Sequence, residues 1–195
     1  MSSCESPQPI PPEPAAPRPA PIILPPLIQK ATPNQSSRRG TVPTLIVWHE
    51  TAGNYGGAVS WLCNPAADAS AHLVLREDGL EATQLVHISE KAWHATTFNA
   101  KAIGIEHANT TPKGFATEKQ LQVSARIFGW LCVNYRIPPR WSRNGASPGV
   151  CRHLDLGSAG GGHTQCGPGD QDWQRFLTML GHEIDRGGYR KTWML

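Results

Sequence analysis

The stretch from Cys151 to Trp173, CRHLDLGSAGGGHTQCGPGDQDW, contains two cysteines, two histidines and three aspartates around a run of glycines. Imidazole and thiolate groups are common ligands of Zn²⁺, and a catalytic zinc site uses three protein ligands and leaves one position for water. His153 and Cys166 from this stretch, together with His49, would supply two nitrogens and one sulfur. Their spacing alone is weak support for a metal site, so a hydrogen-bonded edge histidine and a free thiol remain the alternatives.

Glu106 ends the apolar run AIGIE. A carboxylate at the end of a buried strand is costly unless it is paired or functional. A general base that takes a proton from water beside a metal fits this position. The alternative is a solvent-exposed charge at the end of a strand.

Hydrophobic patterns predict the strands that position these residues. Apolar runs over residues 44–50 and 102–109 predict buried strands, and the first of them ends near His49. The segment 70–86 predicts a hairpin, because an Asp-Gly turn separates its two apolar halves.

Three helices are predicted between and after these strands. A short one follows the loop NYGG, and a longer one begins with Thr117 as N-cap and Gln120 three residues later, which is the pattern of a capping box. The last helix begins near Asp172 and carries apolar residues at helical spacing. Because strands alternate with helices, we expect an α/β fold, a single domain with a central mixed β-sheet flanked by helices.

The N-terminal residues 1–40 hold most of the prolines, in runs such as PQPIPPEPAAPRPAP. Proline disfavours both helices and sheet ladders, so we expect a Pro-rich tail or linker that precedes a domain over residues 41–195. The start, MSSCESPQPIPPEP, lacks the basic and apolar regions of a secretion signal. We therefore expect synthesis in the cytoplasm, so that any action outside it needs another exit route.

Composition limits the partners. A chain of 195 residues with a formal net charge of +3 has no basic run, which argues against a nucleic-acid partner. No apolar run reaches about 18 residues, so no membrane span is expected. We expect a monomer. The five cysteines are an odd number, which argues against a disulfide framework, and we interpret Cys63, Cys132 and Cys151 as packing residues.

Four motifs occur in a fixed order: VWHETAG, SAHLVLREDG, AWHATTFNAKAIGIEHAN and RHLDL followed by HTQCGPGDQDW. Together they resemble the zinc-dependent N-acetylmuramoyl-L-alanine amidases of the amidase-2 group, which includes phage endolysins, bacterial amidases and peptidoglycan recognition proteins. The resemblance covers residues 41–186, approximately, and leaves out the Pro-rich tail.

The resemblance implies a Zn²⁺ ion held by His49, His153 and Cys166, with Glu106 as the catalytic general base. The third ligand of the family precedes a Pro-Gly pair, and here Cys166 stands one residue further from it than usual. A register shifted by one position would make Gln165 the alternative occupant, but an amide is a poor zinc ligand beside a thiolate. We therefore expect Cys166 to be the ligand.

The resemblance also implies residues around the metal. In the family, a residue two positions before the third ligand stabilises the oxyanion. Here that residue is Thr164, or His163 if the register shifts by one. His94, in AWHA, matches a motif near the substrate groove and is a candidate substrate-binding residue. Apart from the resemblance, the position of Asp155 two residues after His153 makes it a candidate hydrogen-bond acceptor for a ligand imidazole, and the alternative is a cap or loop carboxylate.

The activity implied is hydrolysis of the amide bond between N-acetylmuramic acid and L-alanine in peptidoglycan, which is cell-wall degradation of the kind that endolysins perform. Such an enzyme would act on the wall after release or delivery from the cell. Two alternatives stay open: a protein that binds peptidoglycan without cutting it, and an interbacterial amidase toxin.

Overall fold

The computed structural model describes residues 23–109 and 116–187. These residues form eight strands and three α-helices. In chain order they are β1 (Leu27–Gln29), β2 (Gln35–Ser37), β3 (Leu45–Glu50), α1 (Tyr55–Leu62), β4 (Leu73–Leu75), β5 (Ala82–Gln84), β6 (Glu90–Ala92), β7 (Ala102–His107), α2 (Glu118–Tyr135), β8 (Gly149–Arg152) and α3 (Asp170–Arg186). Short 3₁₀ segments span Pro65–Ala67, Thr96–Lys101 and His153–Gly160.

Six of the strands form one mixed sheet in the order β1, β5, β4, β7, β3, β8. The neighbours β4, β7, β3 and β8 run parallel to one another, whereas β4 and β5 form the predicted antiparallel hairpin. Strands β2 and β6 pair separately as an antiparallel ribbon. The prediction of an α/β domain with a central mixed sheet is confirmed.

The two faces of the sheet have different roles because side chains alternate along a strand. On β3, Ile46 and Trp48 belong to the large hydrophobic core beneath α2 and α3, which also includes Ile105 of β7. By the same alternation, His49 and Glu106 lie on the opposite face, where α1 and the 3₁₀ segments pack. Both come at the carboxyl ends of parallel strands, where α/β sheets commonly place their ligand sites.

Helices α2 and α3 pack against each other over that core. The Thr117 hydroxyl caps α2 by accepting a hydrogen bond from the Gln120 backbone N–H, at 3.1 Å. The Gln120 side chain does not complete the predicted capping box, because its amide donates to the Ala108 carbonyl instead. Helix α3 begins at Asp170, close to the predicted start, and buries Trp173 with two further apolar residues of the same face. Among the described residues, no helix is long and apolar enough to cross a membrane.

Within the described residues, the expected tail over residues 1–40 is wrong for residues 27–38. Strand β1 pairs with β5 at the edge of the main sheet, β2 pairs with β6, and the Arg38 side chain is buried. Edge strands of three residues tolerate nearby prolines and show no hydrophobic period, so the sequence pattern did not reveal them. Residues 1–22 lie outside the described residues.

Candidate active site

His49 and Glu106 are neighbours at the carboxyl ends of β3 and β7. The parallel register pairs the two residues directly. His49 Nδ1 lies 3.9 Å from Glu106 Oε1, and the imidazole is almost completely buried. The two strands therefore present one ring nitrogen and one carboxylate to the same point.

His153 follows β8, the strand on the other side of β3, and its ring centroid lies 4.3 Å from that of His49. Its Nε2 donates a hydrogen bond to the Gly160 carbonyl at 2.7 Å, which leaves Nδ1 without a proton in the neutral ring. Gly160 needs to be glycine, because a Cβ atom there would lie 2.4 Å from the Cβ of Leu156. The glycine-rich loop thus sets the tautomer of His153.

Cys166 brings the third candidate ligand into the cluster. Its Sγ lies 3.8 Å from His49 Nδ1 and accepts a hydrogen bond from the Glu50 backbone N–H at 3.4 Å. Ligand atoms of His49, His153 and Cys166 all lie within 4.8 Å of one another. Tetrahedral zinc with bonds of about 2.0–2.3 Å places its ligand atoms about 3.4–3.8 Å apart, so this donor set fits a zinc ion after small shifts.

The cluster lies in the wall of a cavity of about 710 Å³. His163 and Thr164 line the same cavity and are exposed to solvent. The His163 ring stacks on that of His153, with centroids 4.3 Å apart and an interplanar angle of 30°. Both candidates for oxyanion stabilisation are therefore beside the cluster, and Gln165 is an exposed neighbour that also lines the cavity.

Burial controls the charge state of the site. Removal from water, followed by the negative charge of Glu50, raises the pKa of Glu106 to about 8. Burial also holds the pKa of His49 well below its ordinary value and lowers that of His153 to about 4. The imidazoles are therefore neutral near pH 7, which is the form that can bind a metal.

Two residues expected near the site have different contacts from those predicted. His94 lines the cavity, but its Nδ1 lies 2.9 Å from Nε2 of His49, so it contacts a candidate ligand directly. Asp155 does not accept from a ligand imidazole. Its carboxylate instead accepts from the Arg152 guanidinium and from the Trp141 indole, because a cation three residues away is the stronger partner.

Glu50 is a site residue that the sequence did not single out. It lines the cavity, its backbone N–H holds the Cys166 sulfur, and its charge contributes to the raised pKa of Glu106. Its position directly after His49, at the end of a strand, is a feature of the sequence that could have indicated its place in the site.

An α/β domain with two imidazoles, a thiol and a buried carboxylate at the carboxyl edge of parallel strands defines a candidate metallohydrolase. The family model described as N-acetylmuramoyl-L-alanine amidase, Amidase_2, matches residues 39–170. This match covers more than half of the chain, and the chain belongs to this family.

Among curated proteins, N-acetylmuramoyl-L-alanine amidase A of Achromobacter lyticus is 32% identical over 104 residues, which are 53% of this chain and 59% of that protein. The match thus spans less than two thirds of the relative's length. The solved structure of the Staphylococcus aureus hydrolase AmiA in complex with its ligand has a TM-score of 0.68 at 16% identity, covering 88% of this chain and 90% of that one. A mutant endolysin from Bacillus subtilis has a TM-score of 0.57 at 23% identity, covering 81% and 100%. At these identities the structures establish the shared fold.

Proposed function

We propose that this protein hydrolyses the amide bond between N-acetylmuramic acid and L-alanine in peptidoglycan, using a zinc ion. The observation that carries the proposal is the convergence of His49, His153 and Cys166 within 4.8 Å, with the Glu106 carboxylate 3.9 Å from the first of them. Membership of the amidase family gives the substrate class.

His49, His153 and Cys166 would hold the metal. Nδ1 is the free ring nitrogen of His153, because its Nε2 is bonded to the Gly160 carbonyl. Nδ1 is also the nitrogen of His49 that faces the sulfur of Cys166. When bound, zinc supplies a Lewis acid that polarises the scissile carbonyl and acidifies water.

Glu106 would act as the general base. Its carboxylate takes a proton from the attacking water and then delivers that proton to the leaving amine nitrogen of L-alanine. The raised pKa suits the second step, because a group that holds a proton near neutral pH can also donate it. A cation beside Glu106 favours its ionised form, which suits the first step.

His163 or Thr164 would stabilise the developing oxyanion. Both line the cavity that contains the cluster, and each can donate a hydrogen bond to the carbonyl oxygen of the substrate. We favour His163, because its ring stacks on that of the candidate ligand His153 and an imidazole N–H can donate to the developing negative charge.

The test is mass spectrometry of the products formed from defined muropeptides. We expect a free stem peptide that begins with L-alanine, together with an intact glycan. Release should stop after removal of the metal with a chelator and return with added Zn²⁺. A protein that binds purified peptidoglycan and releases no peptide with zinc present would contradict the proposal and favour the binding alternative.

A further inference from the structure

We propose that His94 is a positioning residue, which fixes the tautomer and the ring orientation of His49 for metal binding. The inference rests on the proposed metal site. It replaces the expectation that His94 binds substrate.

The argument begins with the two nitrogens of His49. Nδ1 faces Cys166 Sγ at 3.8 Å, whereas Nε2 faces His94 Nδ1 at 2.9 Å. A neutral imidazole that binds a metal through Nδ1 carries its proton on Nε2. The only arrangement of protons that makes the contact with His94 a hydrogen bond then has Nε2–H of His49 donating and Nδ1 of His94 accepting.

His94 is itself held in position to accept this bond. Its backbone N–H donates to the Asn99 side-chain oxygen at 2.9 Å. Its ring lies directly over Gly104 of β7, where an added Cβ atom would approach the ring to 2.7 Å. The absence of a side chain at Gly104 therefore provides the space that the His94 ring occupies.

Partners of this kind are a general requirement of ligand histidines. A metal-bound imidazole commonly donates its second N–H to a carboxylate, carbonyl or water, and loss of that partner weakens metal binding about 10–100-fold. Here a second imidazole takes this place. Its accepting nitrogen is occupied by His49, so Nδ1 of His94 is not available to a substrate.

Zinc affinity in a competition assay with a chromogenic chelator tests the proposal without reference to turnover. We expect His94→Leu to raise the zinc dissociation constant about 10–100-fold. His94→Asn should restore most of the affinity, because the amide oxygen can take the place of the accepting Nδ1. His87→Leu, which removes an exposed histidine bonded to Ser89, is the matched control and should bind zinc as the wild type does.

Gly104→Ala gives a second variant, which keeps every histidine in the sequence but pushes the His94 ring away from its position. It should weaken zinc binding in the same direction, with circular dichroism showing that the fold is retained. Wild-type zinc affinity in His94→Leu would overturn the proposal, and so would a wild-type protein that binds no zinc. Unchanged zinc affinity together with a raised KM in His94→Leu would instead assign His94 to substrate binding.

A second inference concerns the cleft on the other side of Glu106, and it rests on the proposed function. We propose that this cleft binds the saccharide part of the substrate, with the indole of Trp61 as its platform. Trp61, on α1, is 56% exposed, which is unusual for a large aromatic side chain. It lines a cavity of about 510 Å³ together with the small residues Gly57 and Ala58.

This cleft is continuous with the candidate active site. Its lining shares Glu50, Thr51, Ala52, Leu62 and Glu106 with the larger cavity. The scissile bond of the proposed substrate joins a sugar to a peptide. Of the two clefts that meet at Glu106, one would therefore bind the sugar and the other the peptide. A pyranose ring presents a flat C–H face that suits an exposed indole, with polar groups such as Asn54 beside it. The larger cavity is lined by hydrogen-bonding side chains such as Ser70 and Asn99, which suit a peptide.

Two substrates test which cleft binds the sugar. One is a disaccharide-linked stem peptide, and the other is the same peptide carrying a lactyl group without sugar. We expect Trp61→Ala to lower kcat/KM about tenfold for the first substrate and to leave the second unchanged, while Trp61→Phe retains most of the activity. Leu80→Ala removes an equally exposed apolar side chain, 57% accessible, and should change neither.

An equal loss on both substrates, or no loss on either, would overturn the saccharide assignment without affecting the proposed function. If the wild type cleaves neither substrate, the proposed function fails. Binding of the peptide-free disaccharide, followed by NMR, then decides the assignment. Binding that is lost in Trp61→Ala supports it, and the same binding in both proteins overturns it.

Discussion

His49 and Glu106 face each other across two adjacent parallel strands, with 3.9 Å between Nδ1 and Oε1. This pairing places a candidate metal ligand and a candidate base side by side at the carboxyl ends of the two strands. Because both side chains leave the same face at the same register position, the backbone hydrogen bonds between β3 and β7 fix their separation. Metal binding and proton transfer can therefore be tested separately, by changing one residue at a time.

Replacement of Cys166 tests the metal site. Cys166→Ser removes the thiolate from the cluster, and we expect most of the bound zinc to be lost, because a hydroxyl is a much poorer zinc ligand. Zinc content after dialysis, measured by atomic absorption, checks this. Cys63→Ser is a suitable control, since Cys63 is also half-buried but lies outside the cluster. Equal zinc content in the two variants would show that Cys166 is not a ligand.

Replacement of Glu106 tests the base. Glu106→Gln keeps the shape of the side chain and removes its basicity, so we expect turnover to fall about 10²–10⁴-fold while zinc remains bound. The loss should appear in kcat and not in KM, because the missing interaction belongs to the transition state. Glu118→Gln, at an exposed carboxylate, should have little effect. Loss of zinc from the Glu106 variant would mean that the carboxylate has a structural or ligand role.

The two oxyanion candidates can be separated in the same assay. We expect His163→Ala to lower kcat about 10²–10³-fold, because it removes the proposed oxyanion donor, whose ring stacks on the candidate ligand His153. Thr164→Ala should have a much smaller effect. The opposite order of the two effects would assign the role to Thr164. Zinc content should stay constant in both variants.

The sequence predicted the parts of the site that follow from strands. An apolar run that ends in a polar residue places that residue at the end of a strand, so His49 and Glu106 could be found without a structure. Contacts that depend on long-range packing could not. The bond between His49 and His94 joins residues 45 positions apart, and the Trp141 indole that donates to Asp155 lies 14 positions away from it. Arg38 gave no signal, because a buried arginine is rare enough that exposure is the default expectation.

Arg38 gives a prediction about the N-terminal segment. Its guanidinium is buried and donates to the backbone carbonyls of Ile88, Asn99, Ala100 and Ala102. Each buried carbonyl that loses its partner costs about 1–3 kcal/mol, so we expect Arg38→Ala to lower the free energy of unfolding by at least about 3 kcal/mol. Arg39→Ala removes the exposed neighbouring guanidinium and should cost much less. Chemical denaturation compares them.

Truncation tests the same segment. We expect a chain that starts at residue 23 to keep the stability of the full protein, since we propose that the Pro-rich residues before it are a tail. A chain that starts at residue 41 lacks β1, β2 and Arg38, and should unfold at a clearly lower temperature. Equal melting temperatures for these two truncated chains would show that the segment contributes nothing to the domain.

His107 gives a prediction for the pH dependence of stability. Its ring is fully buried, stacks on Trp48 at 3.5 Å, and bonds to the His49 carbonyl and the Ser124 hydroxyl. Burial lowers the pKa of His107 to about 3, whereas an unfolded histidine titrates near about 6.5. Between these two values only the unfolded chain takes up the proton.

The contribution of neutral His107 to stability is therefore complete above about pH 6.5 and is lost as the pH falls toward about 3. The loss amounts to about 1.4 kcal/mol per pH unit over this window. His107→Phe keeps a ring against Trp48 and removes the titrating group. It should be less stable at pH 7, since two hydrogen bonds are lost, but its unfolding free energy should fall less steeply below pH 6.5. Urea denaturation of the two metal-free proteins at several pH values measures the slopes. Parallel slopes would show that His107 takes up its proton over the same pH range in the folded and the unfolded protein.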